Sequence, residues 1–366
     1  MTKFKAWALG LLSVLAFAPG IAMAQGAPAA WQQTVDKAKG QKLVIVNQGN
    51  PAFDAMIDAF SKKFGIKVDA TVGRPSAVTA RIRTEQRNGM FLPDVWWSIT
   101  GQMTSIAVPA GMFDPFEKYL ILPEVTDVAN WRHPDYIYGD AQRMVFTHSH
   151  EVNQATFRNV DVMPEIKIDS YESLMNPKLK GRIVVRDASL PNAGSYAMAP
   201  IYKAKGADFL ANFLKEQNPR VFDNAEQLDT QLIRGASPLA IGGQNSSLSQ
   251  CRLDGGCKNI IEVEGFASAV SRGLAVFKNA PNPDATKVFV NWVLSKEGQE
   301  MYVREWAKAN HSAAVSMRKD VAPARGHEKD LPDFNNAGQY VWVSTQQGDE
   351  ELKVVNKIFK TWYEKR

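Results

Sequence analysis

The sequence predicts an α/β fold built as two domains. Short runs of β-branched residues alternate with amphipathic helical patterns from residue 42 onward, and the alternation begins again at 182–187. The chain has 366 residues, which suggests two domains on the usual prior of about 150 residues for each. Strands that alternate with helices at short spacing are typical of a largely parallel sheet.

The first domain is predicted from a strand–helix–strand–helix–strand order. The strand at 42–46 leads to Asn50 and Pro51, which suit the N-cap and the first turn of a helix. Two further strands follow, the second of them at 94–98, and the helix between them is predicted to have Ser76 as its cap. The pattern therefore indicates three strands with a helix after each of the first two.

The second domain is predicted from the same pattern in the middle of the chain. The strand at 182–187 precedes a helix with Ser195 as its predicted cap and with a predicted kink at Pro200. The segment 238–248 indicates a strand that opens into a loop rich in glycine and amides. This domain is expected between about 148 and 270.

Three amphipathic helices are predicted toward the end of the chain. Pro283 and Asp284 favour the start of the first helix, and Ser295 can cap the second. The last helix carries one apolar face and charges of both signs, which favours docking onto the protein over binding to a membrane surface. Its apolar face comprises Leu352, Val355, Ile358, Phe359 and Trp362.

The first 24 residues predict a cleaved signal peptide. Lys3 and Lys5 precede a short apolar run, and the segment 22–24 has the small-residue pattern of a cleavage site, with cleavage after Ala24. The mature chain is expected to begin at Gln25 and to be soluble in the periplasm. Removing the two lysines takes the formal charge from +5 to +3, and no basic cluster remains that would favour binding to nucleic acid.

The two cysteines, Cys251 and Cys257, are predicted to form a disulfide. An exported chain folds in an oxidising compartment, and the turn between the cysteines lets the two ends approach. A metal site or a catalytic thiol at these cysteines is the less favoured alternative.

Polar loops at the carboxyl ends of the predicted strands indicate a ligand site, because ligands of α/β sheets bind at that edge. Ordinary turn residues would give a similar pattern in any single loop. The candidate ligand-binding residues are Asn47, Gln48, Arg74, Ser76, Ser98, Thr100, Asn192, Gly194, Ser195, Tyr196, Gln244 and Asn245.

Three segments carry a resemblance to a known family. They are 79–98 (TARIRTEQRNGMFLPDVWWS), 176–187 (NPKLKGRIVVRD) and 278–302 (KNAPNPDATKVFVNWVLSKEGQEMY). In order and spacing they resemble bacterial extracellular solute-binding proteins that serve ABC importers. The branch that they resemble most includes binders of ferric iron, phosphonate, sugar phosphate, thiamine and polyamines.

The resemblance implies a periplasmic-binding-protein fold of the type II kind, with a ligand cleft between two lobes that two crossover strands join. The first lobe would comprise 25–147 and, with the C-terminal helices, 271–366, and the second lobe would comprise 148–270. The crossings are expected near 144–150 and 263–273. The implied protein is a monomer without enzymatic activity or cofactor, and it delivers a small molecule to an inner-membrane permease. A sensor that reads the closed lobes would be an alternative partner.

The ligand is expected to be an organic anion, either a phosphonate or phosphate ester or a carboxylate. A helix N-terminus favours anions, so Arg74 beside the helix that Ser76 caps is explained if an anion lies between them. A solvated Arg74 at the rim of the cleft is the alternative. Iron-binding members of the branch typically use two adjacent tyrosines, whereas Tyr196 stands without a tyrosine neighbour. Ferric iron remains the second candidate ligand.

A function from another class would be a periplasmic zinc enzyme. His148 and His150 lie two residues apart on a predicted strand and could share a face, with Glu151 or His133 as a third ligand. A polar strand segment at the domain crossover is the favoured explanation. The adjacent Trp96 and Trp97 cannot both face the cleft, because neighbouring side chains of a strand point to opposite faces.

Overall fold

The computed structural model describes two sheets and the helices that cover them. The described residues are 28–73, 75–132, 138–190, 192–243, 248, 251–252, 254–310, 314–325 and 346–366, without the side chains of 75–77, 153–154 and 346–347. The predicted signal peptide lies outside this part of the chain.

The strands are short, and two of them are longer than the others. In chain order they are β1 (Lys42–Asn47), β2 (Lys67–Val72), β3 (Val95–Ile99), β4 (Val145–Gln154), β5 (Thr156–Asn159), β6 (Ile183–Arg186), β7 (Arg220–Phe222), β8 (Leu239–Ile241), β9 (Ile260–Glu262), β10 (Ala267–Val276) and β11 (Ala314–Ser316).

The helices include those that the sequence predicts, together with others that it does not. They are α1 (Ala29–Ala38), α2 (Pro51–Phe64), α3 (Pro75–Arg87), α4 (Thr100–Gln102), which continues into a π-helical turn (Met103–Ala107), α5 (Pro123–Thr126), α6 (Ala193–Gln217), α7 (Ala225–Ile233), α8 (Pro283–Leu294), α9 (Lys296–Asn310) and α10 (Gln346–Tyr363).

The first sheet is mixed. Its strand order is β11-β4-β10-β3-β1-β2, and β1 runs parallel to β2 and β3. Strand β10 runs antiparallel to both β3 and β4 because it returns to this sheet from the other one. The sheet is therefore less parallel than the sequence predicts, although the three N-terminal strands keep their carboxyl ends at one edge.

The second sheet repeats this arrangement. Its order is β7-β6-β8-β5-β9, with β6 parallel to β7 and β8 and with β5 antiparallel to β8 and β9. Each sheet thus has a parallel part, whose carboxyl edge can carry ligand loops, and an antiparallel strand that comes from a crossover.

Two segments carry the chain between the sheets. Strand β4 belongs to the first sheet up to Gln154, and β5 begins in the second sheet at Thr156. The return lies between Glu262 and Ala267. These two crossovers join two lobes, which matches the predicted fold class. The predicted domain boundaries stay predictions, although β4 continues past the expected boundary at 148.

The terminal helix α10 packs on the second lobe. Leu352, Val355 and Phe359 are buried in the apolar cluster around α6, so the predicted docking face is confirmed. Helices α8 and α9 instead contribute to the cluster of the first lobe. The sequence grouped all the C-terminal helices with the return to the first lobe, and it did not predict this separation.

Two local predictions at helix ends are confirmed. Asn50 is the N-cap of α2, and its side chain accepts from the main-chain N–H of Ala52 at 2.9 Å. Ser295 Oγ accepts from the N–H of Gly298 at 3.1 Å, at the start of α9. Both caps satisfy N–H groups that have no partner inside their helix.

Two predictions for α6 are wrong. Its N-cap is Asn192, because the Asn192 side chain accepts from the third helical residue, Ser195, while Ser195 Oγ accepts from the N–H of Asn192. The backbone leaves the helical conformation at Gly206, which has φ 81°, whereas Pro200 lies inside the helix. Glycine adopts this left-handed conformation without the steric penalty that other residues incur.

Candidate ligand cleft between the two sheets

The first lobe presents polar side chains at the carboxyl end of β1. Asn47 is fully buried, and its Oδ1 accepts from the N–H of Gly49 at 2.7 Å. Its Nδ2 has no hydrogen-bond partner among the described residues. The next residue, Gln48, is half-buried and points its amide toward Gln102 at the end of α4.

Gln102 joins the two lobes. Gln48 Nε2 donates to Gln102 Oε1 at 2.6 Å, and Ser98 Oγ donates to the same oxygen at 3.4 Å. The amide of Gln102 also lies close enough to the hydroxyl of Tyr196, on α6 of the second lobe, to lower the pKa of that hydroxyl. Three of the predicted ligand residues, Gln48, Ser98 and Tyr196, therefore meet at one side chain that the sequence analysis did not include.

A sequence signal for Gln102 was available. The residue lies three positions after Ile99, where β3 ends, and two positions after Thr100, which the sequence analysis did include. Thr100 does not join the group at Gln102. It is fully buried, and its Oγ1 lies 3.5 Å from Thr147 Oγ1.

The N-terminus of α6 is closed by its own cap. Asn192 Oδ1 accepts from the N–H groups of Gly194 at 2.7 Å and Ser195 at 3.3 Å, and Ser195 Oγ donates to the carbonyl of Asn192. Gly194 is needed for packing, because a Cβ there would lie 2.3 Å from the carbonyl oxygen of Asp187. In this conformation these residues shape the helix start, and their N–H groups are already satisfied.

Tyr196 is almost completely buried between the lobes. Burial raises the pKa of its hydroxyl to about 12, against a smaller lowering by the nearby amide of Gln102. The carboxylate of Asp349, at the start of α10, raises the pKa of Tyr196 further. A phenol in this setting is neutral at physiological pH and acts as a hydrogen-bonding group.

Helix α10 also supports the loop that precedes α6. Asn356 Nδ2 donates to the carbonyl of Ala188 at 2.8 Å, and both groups are buried. Lys203 on α6 forms an ion pair with Glu351 on α10. The terminal helix therefore fixes the segment that leads into the N-cap of α6.

The sequence analysis did not identify Arg272, a cation near the carboxyl end of β3. Arg272 lies on β10 opposite Ile99, and its Nη2 forms an ion pair with Glu151 Oε1 at 2.7 Å. Its Nη1 lies 3.5 Å from Gln48 Oε1. A single charged residue in a strand has no sequence signature of its own, and only the packing brings Arg272 next to the cleft.

Part of the predicted site lies outside the described residues. Arg74, Gln244 and Asn245 belong to this group, and their predicted roles stay predictions. Helix α3 begins at Pro75, so Ser76 lies inside the first turn and not at the cap position.

Trp96 and Trp97 are both core residues. Trp96 stacks with Phe277 in one apolar cluster, whereas Trp97 lies against Phe53 on the opposite face of the sheet. Both side chains are at most 1% exposed. The strand alternation that the sequence predicts is therefore correct, and neither ring reaches the cleft.

The histidines of β4 do not form the zinc site considered from the sequence. Trp97 Nε1 donates to His148 Nε2 at 2.8 Å, and His148 Nδ1 lies 3.3 Å from Gln299 Nε2, so both ring nitrogens have protein neighbours. His150 Nδ1 lies 2.6 Å from Ser271 Oγ, and Glu151 pairs with Arg272. The described residues contain no group of three or more His, Cys, Asp or Glu side chains that could hold a metal ion. His133 lies outside them.

Cys251 and Cys257 form the predicted disulfide, with their Cα atoms 5.7 Å apart. The bridge closes a loop between the ligand-type segment after β8 and strand β9.

The family is established by a direct comparison. Residues 55–330 match the family model for bacterial extracellular solute-binding proteins. The chain belongs to this family. Its members are binding components of ABC importers, and the solute-binding protein described here is such a component.

Individual relatives of this solute-binding protein are distant. Iron uptake protein A1 of Synechocystis is 24% identical over 308 residues, which cover 78% of this chain and 80% of that one. The iron-bound structure of HitA from Pseudomonas aeruginosa is 18% identical, with a TM-score of 0.61 over 87% of this chain and 99% of that one. AfuA from Actinobacillus pleuropneumoniae, solved with fructose-6-phosphate, is 20% identical, with a TM-score of 0.63 over 87% of this chain and 98% of that one. The structural likenesses show the shared fold.

No helix in the described part of the solute-binding protein combines the length and the apolar character that crossing a bilayer requires.

Proposed function

We propose that this solute-binding protein captures a small organic anion, a phosphonate or phosphate ester or a carboxylate, in the cleft between its lobes. It then presents the closed, loaded form to an inner-membrane permease. The observation that carries the proposal is the meeting of Gln48 and Ser98 from one lobe with Tyr196 from the other at the side chain of Gln102. Hydrogen-bonding groups from both lobes at one point can stabilise a closed form around a ligand.

An anion is favoured over a metal ion by the character of the side chains. Amides, hydroxyls and the guanidinium of Arg272 line this edge, and Arg272 brings a positive charge to within 3.5 Å of Gln48. Ferric iron would need several charged or phenolate oxygens, and Tyr196 is the one tyrosine that meets Gln102 in the described residues. Iron remains the second candidate because relatives carry the name of iron uptake proteins.

Binding is proposed to proceed without chemistry. The two crossover segments, near Ala155 and between Glu262 and Ala267, connect the lobes and let them rotate. A ligand that contacts both lobes binds the closed form more tightly and shifts the population toward it. We further propose that the chain is a periplasmic monomer, with the signal peptide cleaved after Ala24.

A thermal-shift screen of the purified protein tests the ligand class. The panel contains phosphonates, sugar phosphates, di- and tricarboxylates, polyamines, thiamine, and ferric iron with and without citrate. A ligand at about 100 times its dissociation constant adds roughly 2.7 kcal/mol to stability, which is readily seen as a higher midpoint. We expect a shift with an organic anion alone. A shift with ferric iron alone, or with a cationic compound alone, would contradict the proposal.

Two variants test the place of binding. Gln102→Ala and Tyr196→Phe are each expected to weaken the ligand found in the screen by about tenfold, the worth of one hydrogen bond of about 1.4 kcal/mol. Gln32→Ala, on the exposed side of α1, is the matched control. Unchanged affinity in both cleft variants would place the ligand elsewhere.

A further inference from the structure

Three buried N–H donors without partners lie on one face of the first lobe. They are Asn47 Nδ2, Arg272 Nε and Trp306 Nε1, and none has a hydrogen-bond partner among the described residues. Buried polar groups in folded proteins are nearly always hydrogen-bonded, so each exception requires an explanation. All three of these atoms are hydrogen-bond donors.

The donor character of each atom is fixed. The Asn47 amide is oriented because its oxygen accepts from Gly49, which leaves the NH₂ group as the part without a partner. Arginine and the tryptophan indole can only donate. These three N–H groups can donate a hydrogen bond but cannot accept one, so they suit a ligand oxygen that carries lone pairs.

The strand register places Asn47 and Arg272 on one face of the sheet. Asn47 is aligned with Trp97, and Trp97 is aligned with Leu274, so these side chains point to the same side of the sheet. Arg272 lies two residues before Leu274 on β10 and therefore shares that side. Its guanidinium lies 4.1 Å from the centre of the Trp306 ring.

Arg272 has partners for two of its guanidinium nitrogens, but its Nε has no hydrogen-bond partner among the described residues. One nitrogen pairs with Glu151, a second lies 3.5 Å from Gln48 Oε1, and Phe53 lies 6.0 Å from the guanidinium. Trp306 Nε1 is near enough to Glu151 to lower its pKa, although it lies outside hydrogen-bonding geometry. The side chain of Arg272 keeps 12% of its surface exposed, so the group is accessible at the edge of the cleft.

We propose that Asn47, Arg272 and Trp306 form a subsite for one oxyanion group of the ligand, a carboxylate or a phosph(on)ate, at the carboxyl end of β1. This inference rests on the proposed function, and it assigns the charged end of the ligand to the first lobe. Arg272 supplies the positive charge, and the two neutral donors supply directed hydrogen bonds. In this proposal Arg272, and not Arg74 as the sequence analysis expected, is the cation that binds the anionic group of the ligand.

Glu151 makes the proposal sharply testable. Its carboxylate neutralises Arg272 before a ligand arrives and repels an incoming anion at short range. Burial raises the pKa of Glu151, while Arg272 opposes that shift. The other titratable groups near Arg272 are His148 and Tyr302, which burial keeps neutral at pH 7. Removing the charge of Glu151 should strengthen anion binding, and removing that of Arg272 should abolish it.

The experiment follows the indole N–H resonance of Trp306 by NMR during titration of the purified protein with inorganic phosphate and, separately, with acetate. The chain has nine tryptophans, so Trp306→Phe assigns the resonance. Sodium chloride at equal ionic strength is the control. We expect a saturable shift with phosphate, acetate or both, and no saturation with chloride. The anion that saturates at the lower concentration identifies the class of the group.

Charge variants complete the test. Glu151→Gln is expected to lower the half-saturating concentration by about tenfold, and Arg272→Gln to remove saturation. Arg272→Gln leaves a buried carboxylate without its partner and can fold poorly. The double variant E151Q/R272Q removes both charges and is expected to fold without binding the anion. Saturation in the double variant, or weaker binding in Glu151→Gln, would overturn the proposal.

The outcome separates this inference from the proposed function. If the screen finds an organic anion that leaves the Trp306 resonance unchanged, the ligand class stands and the subsite is wrong. If phosphate or acetate saturates the Trp306 resonance while the screen finds a neutral or cationic ligand, the subsite stands and the proposed ligand class is wrong.

Discussion

Ser268 Oγ donates a hydrogen bond of 2.5 Å to the main-chain carbonyl of Tyr196. In an uninterrupted helix this carbonyl would accept from the N–H of residue 200, four positions later, but residue 200 is Pro200 and has no N–H. Ser268 lies at the start of the crossover strand β10. The crossover strand therefore satisfies a carbonyl that the proline leaves without its helical partner.

A double-mutant cycle tests this relationship. Ser268→Ala leaves the buried carbonyl of Tyr196 without a partner, which is expected to lower the free energy of unfolding by about 1 to 3 kcal/mol. In the Pro200→Ala background the new N–H of residue 200 can bond to that carbonyl, so the same serine substitution should have a much smaller effect. Urea denaturation of the four proteins gives the coupling energy. Equal effects of Ser268→Ala in both backgrounds would contradict the explanation.

His148 is expected not to titrate in the physiological range. Its complete burial lowers the pKa of the imidazole to about 3, with smaller lowering by the charge of Arg272. The unfolded chain takes up this proton near pH 6.5, so the contribution of His148 to stability is complete above that pH. It is lost at about 1.4 kcal/mol per pH unit as the pH falls from 6.5 toward 3.

An NMR pH titration of the His148 ring checks this value. The ring protons should keep constant shifts from pH 8 to pH 4.5, whereas histidine in the urea-unfolded chain should titrate near pH 6.5. A midpoint above pH 5 in the folded protein would mean that the ring reaches solvent.

Protonation of Asp349 should make the protein more stable near pH 4 than at neutral pH. Burial raises the pKa of its carboxyl to about 6, with a further contribution from Glu350, while Lys353 opposes the shift. Because the folded state holds the proton more tightly than the unfolded state, stability falls as the pH rises from about 4 through 6.

Asp349→Asn isolates this contribution. The substitution is expected to raise the free energy of unfolding at pH 7.5 by up to about 1 kcal/mol, a value reduced because the side chain is partly exposed. At pH 4 the difference should disappear. Urea denaturation at the two pH values measures it, with Asp208→Asn on the exposed side of α6 as the control. A variant that is less stable than the parent at pH 7.5 would contradict the prediction.

Reduction of the disulfide should lower stability without removing ligand binding. Cys251 and Cys257 close a short loop, and loop closure of this length corresponds to about 2 kcal/mol. Urea denaturation with and without dithiothreitol measures the loss. The double variant C251S/C257S should be insensitive to the reductant, and a reductant effect in that variant would show that another group is responsible.

Local sequence patterns predicted most of the secondary structure. The cap at Asn50, the strand before it and the apolar face of α10 depend on residues close to one another in the chain, and all are confirmed. The cap of α6 was placed at Ser195 because serine is a common N-cap, but Asn192 and Ser195 exchange hydrogen bonds across the first turn. Either residue alone would have suited the position.

Some features of the cleft could likewise be predicted from the sequence, and others could not. The sequence by itself determined that polar loops follow the strands of both lobes, since that depends on residue type and local order. Only the tertiary structure decided that Gln102 joins the lobes and that Arg272 and Trp306 lie side by side, because these contacts bring together residues from strands and helices far apart in the chain. Strand order and register, which fix such contacts, are set by packing and leave no local signature in the sequence.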